Sequence, residues 1–522
     1  MGHTGRRPAL RTVELRPIWG SDPVRSAYRP PHLKKTAEVY RQWLDLAGKY
    51  LPIHTESDMW RFSRRWTEKD APQGWKIHIS ATINSANGIF QAIAPFLSDR
   101  NALYKGPATL VELARLNSGL CYGYSQVGKF LTIYPRDSDD LSDLVDGLSQ
   151  RVPLDPESPR VPFDLILHPG SNIFFRFGSF VSQTVSDENG VAVPAIVSPE
   201  GELVPDRRDA PFPQWIDAPP LFLDTRSADS VAPSPLLVRY RVFRAISQRG
   251  KGGVYEAFDL ARNPGFRCVL KEGRLYGETA WDGIDGRGRT LHEERVLREL
   301  REIGVAVPAV LDSFDAGGNR YLVLEKVEGP TLESYVARKT RRLRLASAID
   351  LGVRIADLVA KVHHSGWVWR DCKPANILVG DAGHLTLIDF EGACPINRPE
   401  FLPWNTPTYA PPEVKSGAPI RVPNSNLPED LYALGAVLYF LLEGKNYRSA
   451  APANRDAKNL PAGPKVTRRR IPKAITVLIS KLLCDDPRKR PPAHEVADAL
   501  RAIERDSPKK FGKSDIAADR VE

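Results

Sequence analysis

The sequence predicts an α+β multidomain protein, and three observations lead to this class. The chain has 522 residues, which is too long for one ordinary domain of roughly 150 residues. Within residues 35–185, strand-like alternation of apolar and polar residues occurs beside helical spacing. Residues 186–237 contain many prolines and no sustained period, which is typical of a linker. We therefore predict two folded regions joined by an extended segment.

Composition places the chain among soluble globular proteins. Hydrophobic residues make up 42% and charged residues 26%, which excludes wholesale disorder, collagen and a membrane bundle. The 73 lysines and arginines modestly exceed the 63 acidic residues, an excess that suits phosphate or carboxylate partners without indicating nucleic acid. The five cysteines are dispersed and form no C-x-x-C pair, so neither a disulfide framework nor a zinc ribbon is expected.

No targeting or membrane segment is expected. The first twenty residues contain arginine but no apolar core, unlike a secretory signal. The apolar run 431–442 is too short to span a bilayer. Together with the dispersed cysteines, these features predict a cytoplasmic protein in a reducing compartment.

The first folded region combines predicted helices and strands. Residues 1–34 are a basic N-terminal arm that we expect to be loosely held. Apolar residues recur at helical spacing from 36 to 51, and 111–116 fit a short helix. Alternating segments predict strands at 74–83, 129–135 and 172–180. The region 35–185 is therefore predicted to be an α+β domain.

The second region, 238–505, opens with short strands and ends in helices, and a solvated tail is expected at 506–522. It contains the motifs WRDCKPANILV at 369–379 and LTLIDFEG at 385–392. Phosphoryl transfer needs a carboxylate that orients the attacking hydroxyl and takes its proton. It also needs a carboxylate and an amide oxygen to hold the metal that accompanies the nucleotide phosphates. The two motifs contain residues of all these types.

On these motifs, residues 238–505 resemble a eukaryotic-type protein kinase domain with a bilobal fold. The resemblance implies that Asp371 is the catalytic base and that Lys373 neutralises the transferred phosphoryl group. It implies ATP or another nucleoside triphosphate as cofactor, with Mg²⁺ held by Asn376 and Asp389. The nucleotide-binding residues that it implies are Gly250, Gly252, Gly253 and Val254 of the nucleotide loop, Lys271 in VLKEG and Glu293 in EERVL.

The kinase resemblance also has departures. Trp369 replaces the usual histidine of the catalytic loop, and Glu391 replaces the glycine of the DFG motif. Arg249 stands where a nucleotide-loop glycine is usual. All charged catalytic positions are present, so an active kinase is expected, with a pseudokinase as the alternative. The resemblance further implies an architectural ion pair between Glu413 and Arg490.

In the first region, cations stand inside otherwise apolar stretches. Lys76 and His78 are two residues apart in GWKIHIS, so on a strand they share one face. Each cation alone is compatible with a snorkelling side chain or an exposed strand residue. Converging, they would form a phosphate-binding pocket in which a lysine of lowered pKa could act as a base. The other candidates are Lys105, Arg115, Lys129, Tyr134 and Arg176.

GWKIHISA, GKFLTIYP and FFRFG resemble the phosphothreonine-lyase-like domain that opens class III and IV lanthipeptide synthetases. DRRDAPFPQWIDAP at 206–219 is similar to the segment that joins lyase to kinase in class III enzymes. The resemblance implies that Lys105 is the general base and that His78 protonates the departing phosphate. Lys76 would bind phosphate and polarise the substrate carbonyl. The remaining implied phosphate-binding residues are Arg115, Lys129 and Arg176, with Tyr134 as a further pocket residue.

Together the two resemblances imply a class III lanthipeptide synthetase-like peptide dehydratase. Its kinase would phosphorylate Ser and Thr of a ribosomally made precursor peptide, consisting of a leader and a core. Its phospho-Ser/Thr lyase would then eliminate phosphate, leaving dehydroalanine or dehydrobutyrine. The seventeen residues that follow the kinase region contain no cyclase domain, so ring closure is expected from a separate cyclase protein, or not at all. No nucleic acid or membrane partner is expected.

Two alternatives stay open at this point. One is a signalling Ser/Thr protein kinase whose first region is a phosphopeptide-binding module, which needs the cations but neither a base nor an acid. The other is a pseudokinase scaffold that presents a leader peptide to another enzyme, which predicts no ATP turnover.

Overall fold

A computed structural model describes residues 31–54, 59–153, 157–217, 238–261, 265–339, 342–398, 404, 406–415, 427–447, 466–468 and 471–506. Most of the predicted N-terminal arm, the linker beyond residue 217 and the tail beyond residue 506 lie outside these residues. The described residues divide into two compact units. The first contains 31–329 and 380–391, and the second contains 330–379 and 392–506.

The N-terminal part of the first unit is an antiparallel sheet with helices. The helices are α1 (Pro31–Tyr50), α2 (Ala86–Asp99), α3 (Leu110–Ser118) and α4 (Ser138–Ser149). The strands are β1 (Ile53–His54), β2 (Trp60–Phe62), β3 (Gln73–Ile79), β4 (Leu103–Pro107), β5 (Leu131–Tyr134), β6 (Leu165–Ile166) and β7 (Ile173–Ser179). They lie in the order β1-β2-β4-β5-β3-β7-β6. The helices and strands predicted in this region are confirmed.

One face of this sheet is apolar because side chains alternate along each strand. Ile77 of β3 and Phe175 of β7 are fully buried in a core that also contains Trp43 of α1. Burying a side chain of this size stabilises the fold by about 1.5–3 kcal/mol. Lys76 and His78 flank Ile77, so the alternation that builds the core also places cations on the opposite face.

The first part of the predicted Pro-rich linker contains regular strands, although the sequence shows no sustained period there. Strands β8 (Thr184–Ser186), β9 (Ala192–Val197) and β10 (Leu203–Pro205) form a small antiparallel sheet. These strands are short and contain Pro194 and Pro205, which obscured their alternation. Gln73 of β3 bonds to this sheet, donating to the carbonyl of Val197 at 2.9 Å and accepting from its N–H at 2.7 Å.

The same unit contains a second sheet, in the order β11-β12-β13-β15-β14. Its strands are β11 (Tyr240–Arg249), β12 (Gly252–Asp259), β13 (Phe266–Gly273), β14 (Val310–Ala316) and β15 (Asn319–Glu325). Helix α5 (Gly286–Glu302) follows β13 in the chain. The Asp285 carboxylate caps this helix by accepting from the N–H of Gly288 at 2.8 Å.

The second unit is mainly helical. Its helices are α6 (Leu332–Ala337), α7 (Leu345–His364), α8 (Pro412–Lys415), α9 (Leu427–Glu443), α10 (Lys473–Leu482) and α11 (Ala493–Asp506). The short strands are β16 (Trp367–Val368), β17 (Ile377–Val379) and β19 (Cys394–Pro395), while β18 (Leu385–Leu387) belongs to the first unit. Helix α9 contains the apolar run noted in the sequence. Among the described residues, no helix combines the length and apolarity needed to cross a bilayer.

Candidate active sites

Cations of several strands meet on the polar face of the first sheet. Strand register places Lys76 opposite Arg176 of β7, while His78 and Lys105 both lie opposite Thr132 of β5. Partners in antiparallel strands project to the same side, so these side chains converge. The pocket that results is lined by Lys76, His78, Lys105, Gln126, Lys129, Thr132, Tyr134, Arg176 and Arg208.

Two buried carboxylates support the cations of this pocket. Asp164 Oδ2 lies 2.5 Å from His78 Nδ1, and Asp164 Oδ1 lies 3.4 Å from Lys129 Nζ. Asp206 pairs with the guanidinium of Arg176. The lining cations outnumber these carboxylates, so the pocket is suited to a phosphate group, which binds arginine and lysine through charge-assisted hydrogen bonds.

Burial and mutual repulsion lower the pKa values of the pocket lysines. Burial, followed by the charges of Arg208 and Lys129, lowers the pKa of Lys105 to about 8. Burial and the charge of Lys105 also hold the pKa of Lys76 well below its ordinary value. A lysine with a pKa near 8 is partly a neutral amine at physiological pH and can accept a proton. Lys105 therefore has the properties of a general base.

His78 is the second titratable group of the pocket. Burial, followed by the charge of Lys129, lowers its pKa to about 3, although Asp164 favours the protonated form. A phosphate dianion adds negative charge beside the imidazole, so its binding is expected to raise this pKa. Because Nδ1 faces Asp164, Nε2 is the atom that can transfer a proton to a substrate.

The donors of the pocket fit a phosphate. The Nε of Arg176 is buried and has no hydrogen-bond partner among the described residues. A buried donor of this kind, placed among cations, matches a phosphate oxygen. Aromatic rings lie beside the lysines: Lys105 Nζ is 4.4 Å from the ring centroid of Trp60, and Lys76 Nζ is 5.9 Å from that of Phe180. These rings limit the access of water to the two amines.

The structure brings most of the predicted lyase residues into this pocket, but not Arg115. The guanidinium of Arg115 donates to Glu112 Oε1 at 2.5 Å, one turn back on α3. Arg115 is not among the residues that line the pocket, so the prediction that it binds phosphate is corrected. Arg208, which the sequence analysis did not single out, lines the pocket instead.

Sequence reasoning also missed Asp164. Its signal was a carboxylate inside the apolar stretch VPFDLIL, immediately before β6. Arg208 stands in the DRRD sequence that follows β10, within the predicted linker. Both residues lie in loops, and local periodicity does not indicate which site a loop residue joins.

The predicted nucleotide-binding lysine lies on β13 and pairs with α5. Lys271 Nζ lies 2.6 and 2.8 Å from the carboxylate oxygens of Glu293 and 3.1 Å from Asp389 Oδ1. Burial alone would lower the pKa of Lys271, but Asp389 and Glu293 outweigh it and raise the pKa. Asp389 has a φ of 68°, a left-handed conformation that costs a non-glycine residue about 1–3 kcal/mol. The contacts with Glu293 and Asp389 therefore keep the amine of Lys271 positively charged.

The predicted nucleotide loop is a tight hairpin between β11 and β12, in which Arg249 pairs with Gly252. A Cβ added at Gly252, where φ is 154°, would lie 1.7 Å from the carbonyl oxygen of Glu272. A Cβ at Gly250 would lie 1.6 Å from the carbonyl oxygen of Asn117. Both positions therefore require glycine for packing against neighbouring backbone.

Other residues of this loop lie beside the charged cluster. Val254 is opposite Lys271 in the sheet, and Gly253 is opposite Gln248. Lys251, at the turn of the hairpin, forms an ion pair with Glu391, the residue that replaces the usual DFG glycine. The departure at Glu391 thus creates an additional contact with the nucleotide loop.

In the second unit, the predicted catalytic residues lie on one loop. Asp371 Oδ2 is 2.7 Å from Lys373 Nζ and 2.8 Å from Asn376 Nδ2. Thr406 Oγ1 donates to Asp371 Oδ1 at 3.2 Å. The amide nitrogen of Asn376 is taken up by Asp371, so the amide oxygen is the atom of this side chain that has the ligand type Mg²⁺ prefers.

Residues that are not predicted to take part in the reaction stabilise the second unit through buried hydrogen bonds and an ion pair. The fully buried carboxylate of Asp430 accepts from the N–H of Trp369 at 2.8 Å and of Arg370 at 2.7 Å. Arg490 contacts Glu413 through both of its terminal nitrogens, at 2.5 and 2.9 Å. The Glu413–Arg490 pair thus lies where the kinase resemblance implied an architectural ion pair.

The residues that would hold a metal are few. Within the described ranges, no group of three or more His, Cys, Asp or Glu could hold a metal ion alone. A kinase-type site takes only a carboxylate and an amide oxygen from the protein, because nucleotide phosphates and water complete the coordination. Asp389 in the first unit and Asn376 in the second are residues of these two types, so the kinds of oxygen donor that nucleotide-dependent Mg²⁺ binding takes from the protein are present.

Comparison with known proteins defines the class of this chain. A family model described as RamC, N-terminal domain, matches residues 53–232, and a protein kinase domain model matches residues 243–499. The chain therefore contains a region that matches the RamC-type N-terminal domain, followed by a region that matches a protein kinase domain. The predicted fold class is thereby confirmed, with a sheet-rich and a helical part in the kinase region.

Individual relatives are consistent with this class. The chain is 35% identical to the probable SapB synthase of Streptomyces coelicolor, over 65% of this chain and 37% of that protein. It is 28% identical to the serine/threonine-protein kinase pkn2 of Myxococcus xanthus, over 52% of this chain and 33% of that one. It is 31% identical to the S. coelicolor kinase PkaA, over 50% and 47%. The chain therefore spans less than half the length of these relatives. The resemblance to class III lanthipeptide synthetases is confirmed by the domain pair and the SapB synthase match.

Proposed function

We propose that this chain is a bifunctional peptide dehydratase of lanthipeptide-type biosynthesis. Its kinase domain phosphorylates Ser and Thr of a ribosomally made precursor peptide, and its RamC-type domain then eliminates the phosphate. The observation that carries the proposal is the cationic pocket, where a lysine of lowered pKa and a His–Asp pair face the same space. Similarity to a probable SapB synthase supports a biosynthetic role.

In the kinase half, Asp371 would orient the attacking hydroxyl and accept its proton, with Lys373 adding positive charge beside that carboxylate. Lys271, fixed by Glu293, would bind nucleotide phosphates. Asp389 and Asn376 would hold Mg²⁺. ATP with Mg²⁺ supplies the phosphoryl group.

In the lyase half, the phosphate ester would be bound by the cations that line the pocket. Lys105 would remove the α-proton, and the electron pair would form the Cα–Cβ double bond as the Cβ–O bond breaks. His78, oriented by Asp164, would protonate the departing phosphate oxygen. Lys76 would polarise the substrate carbonyl and so stabilise the carbanion. The phosphate-binding cations are Lys76, Lys129, Arg176 and Arg208.

Joining the two activities in one chain has a physical advantage. A side chain phosphorylated by one half of the chain would reach the other half at a high effective concentration, because the two sites are covalently linked. The phosphopeptide then need not accumulate in solution. Its charged phosphoserine or phosphothreonine is converted directly to a neutral dehydro residue.

The decisive experiment follows the intact mass of the precursor peptide encoded beside this gene, incubated with ATP, Mg²⁺ and the protein. Wild type should yield products that have lost water, whereas Lys105→Ala should accumulate phosphorylated peptide. Lys69→Ala, which changes an exposed lysine of the same domain, is the matched control and should behave as wild type. Phosphate gain without water loss in the wild type would contradict the proposed lyase.

A second candidate function is favoured by the similarity to serine/threonine kinases such as PkaA. In it the chain is a signalling kinase whose pocket only binds phosphopeptides, which requires the cations but neither Lys105 nor His78 as proton donor or acceptor. A synthetic phosphoserine peptide, incubated without nucleotide, separates the two functions. Elimination by the wild type contradicts the signalling kinase, whereas binding without elimination supports it.

A further inference from the structure

The nucleotide loop of the kinase region contacts the RamC-type domain. The N–H of Gly250 donates to the carbonyl oxygen of Ser118 at 2.9 Å. Gly250 also packs against Asn117 so closely that any side chain is excluded. The guanidinium carbon of Arg274, which follows β13, lies 4.9 Å from the ring centroid of Tyr124. The loop that would cover nucleotide phosphates is therefore bonded to the other domain.

A second contact extends this interface. Asn84 Nδ2 donates to the carbonyl oxygen of Ala280 at 3.0 Å, and Trp281 packs against the core of the RamC-type domain. Both kinase residues lie between β13 and α5. The same connection supports the nucleotide loop, because the N–H of Arg274 donates to the carbonyl oxygen of Lys251 at 2.8 Å. The nucleotide loop is thus held from two sides.

On the RamC-type domain, the contact belongs to residues 117–129, which we call the 117–129 segment. Its conformation is fixed by the buried side chain of Asn117, which donates to the carbonyl of Ala81 at 3.0 Å and accepts from the N–H of Gly128 at 3.1 Å. The far end of the segment places Gln126 and Lys129 in the phosphate pocket. One short stretch of chain therefore touches both candidate sites.

We propose that the 117–129 segment is a positioning element of the kinase nucleotide site. It holds the nucleotide loop through Ser118 and Tyr124, so that the loop binds nucleotide phosphates without first being ordered. A glycine-rich turn has large conformational freedom, and fixing it beforehand removes an entropic cost of binding. The inference rests on nucleotide binding by the kinase half of the proposed function, and it does not require the lyase reaction.

The test measures the dissociation constant of a fluorescent ATP analogue with Mg²⁺ on the full chain. Tyr124→Ala removes the ring beneath Arg274 and should weaken binding about fivefold to tenfold, as expected for loss of a partly buried cation–π contact. Tyr124→Phe keeps the ring and should bind within about twofold of wild type. Leu120→Ala, an exposed position that is 58% accessible in the same segment, is the matched control and should bind normally.

Two further measurements separate positioning from general damage. In a double-mutant cycle, the losses caused by Tyr124→Ala and Arg274→Ala should be less than additive, because the two changes share one contact. Arg274→Ala alone should weaken binding more than Tyr124→Ala, since Arg274 also bonds to Glu272 and to the carbonyl oxygen of Arg249. Elimination from a synthetic phosphoserine peptide without nucleotide should be reduced less than nucleotide binding in Tyr124→Ala, since Tyr124 does not line the pocket and reaches it only through its ring contact with Phe163, the neighbour of Asp164.

Several outcomes would overturn the inference. These are unaltered nucleotide affinity in Tyr124→Ala, additive losses in the cycle, or parallel loss of elimination and nucleotide binding. Lys271→Met gives the nucleotide affinity that remains when the nucleotide site itself is lost. A wild type that binds the ATP analogue no more tightly than Lys271→Met also overturns the inference. A wild type that binds nucleotide in a Tyr124-dependent manner but never dehydrates peptide contradicts only the proposed function.

Discussion

Nδ1 of His78 lies 2.5 Å from Oδ2 of Asp164, and the two side chains are only 4% and 0% exposed. His78 belongs to β3, whereas Asp164 precedes β6 and reaches it from 86 positions along the chain. The carboxylate fixes the orientation of the imidazole and directs Nε2 away from itself. Proton transfer by His78 therefore depends on a residue that does not line the pocket.

Asp164→Asn should impair elimination while leaving phosphorylation intact. An amide cannot stabilise the imidazolium as a carboxylate does, so the rate of elimination from a phosphoserine peptide should fall about 100-fold. The measurement is the single-turnover elimination rate. Asp143→Asn, at an exposed α4 position, is the matched control and should have no effect. An unchanged rate in Asp164→Asn would show that His78 needs no orienting partner.

Elimination should become faster as the pH rises through about 8. Lys105 has a pKa of about 8 and acts as a base only when neutral, so the competent fraction increases above that pH. The second ionisation of a phosphoserine, with a pKa near 6, is nearly complete by then and does not cause this rise. The profile of kcat/KM for elimination, measured from pH 6 to 10 with nucleotide absent, checks the prediction. A profile that is flat through pH 8 would contradict the role of Lys105.

Arg176→Ala and Arg115→Ala should have opposite outcomes. Arg176 lines the pocket with a buried, unbonded Nε, so its loss should weaken phosphopeptide binding about 10- to 100-fold. Arg115 pairs with Glu112 outside the pocket, so its replacement should leave binding within about twofold of wild type. Titration of a labelled phosphoserine peptide distinguishes them. Equal losses in the two variants would restore the phosphate-binding role that the sequence predicted for Arg115.

Asp371→Asn should strongly slow phosphoryl transfer without weakening nucleotide binding. The variant keeps an oxygen facing Lys373 but cannot accept the hydroxyl proton, and general base catalysis contributes about 100- to 10,000-fold. Phosphorylation of the precursor peptide should therefore fall by about that factor, while the KM for ATP stays unchanged. Elimination from a synthetic phosphopeptide should be normal. Retained phosphorylation would mean that another group takes the proton.

Arg490→Ala should destabilise the kinase region more than any exposed ion-pair substitution nearby. The Arg490 side chain is 0% exposed and its partner Glu413 is 13% exposed, so the change removes a largely buried ion pair and the bonds of Arg490 to the carbonyls of Pro428 and Cys484, at a cost of about 3–5 kcal/mol. Arg488→Ala, where the arginine is 76% exposed, should cost less than about 1 kcal/mol. Denaturant unfolding followed by fluorescence compares them. Equal stabilities would indicate that the Glu413–Arg490 pair is not structural.

Some features of the candidate sites are local in the chain, and these could be predicted. Asp371, Lys373 and Asn376 are within six residues of one another, so one loop suffices to bring them together. Lys76 and His78 share a face because β-strand side chains alternate. Motif spacing and strand alternation can both be read from the order of residues. For this reason the α+β class, the kinase motifs and most cations of the pocket could be predicted.

Other features arise only when distant segments pack. Arg208 lines the pocket from a loop, and Asp164 supports His78 from another loop. Arg115, for which the sequence predicted phosphate binding, instead pairs with Glu112. Gly250 was interpreted as a nucleotide-binding glycine, yet its missing side chain also makes room for the carbonyl of Asn117. Such contacts depend on which distant segments of the chain pack together, and the periodicity of the sequence does not indicate this.

The α+β class, the kinase-type residue set and the cationic character of the first region could all be predicted from the amino-acid sequence. Periodicity and motif spacing are short-range properties that any reader of the chain can measure. The sequence did not reveal that Asp164 supports His78, that Arg208 lines the pocket or that the RamC-type domain contacts the nucleotide loop. These depend on burial and on contacts between residues far apart in the chain, whose free energy exists only in the folded state.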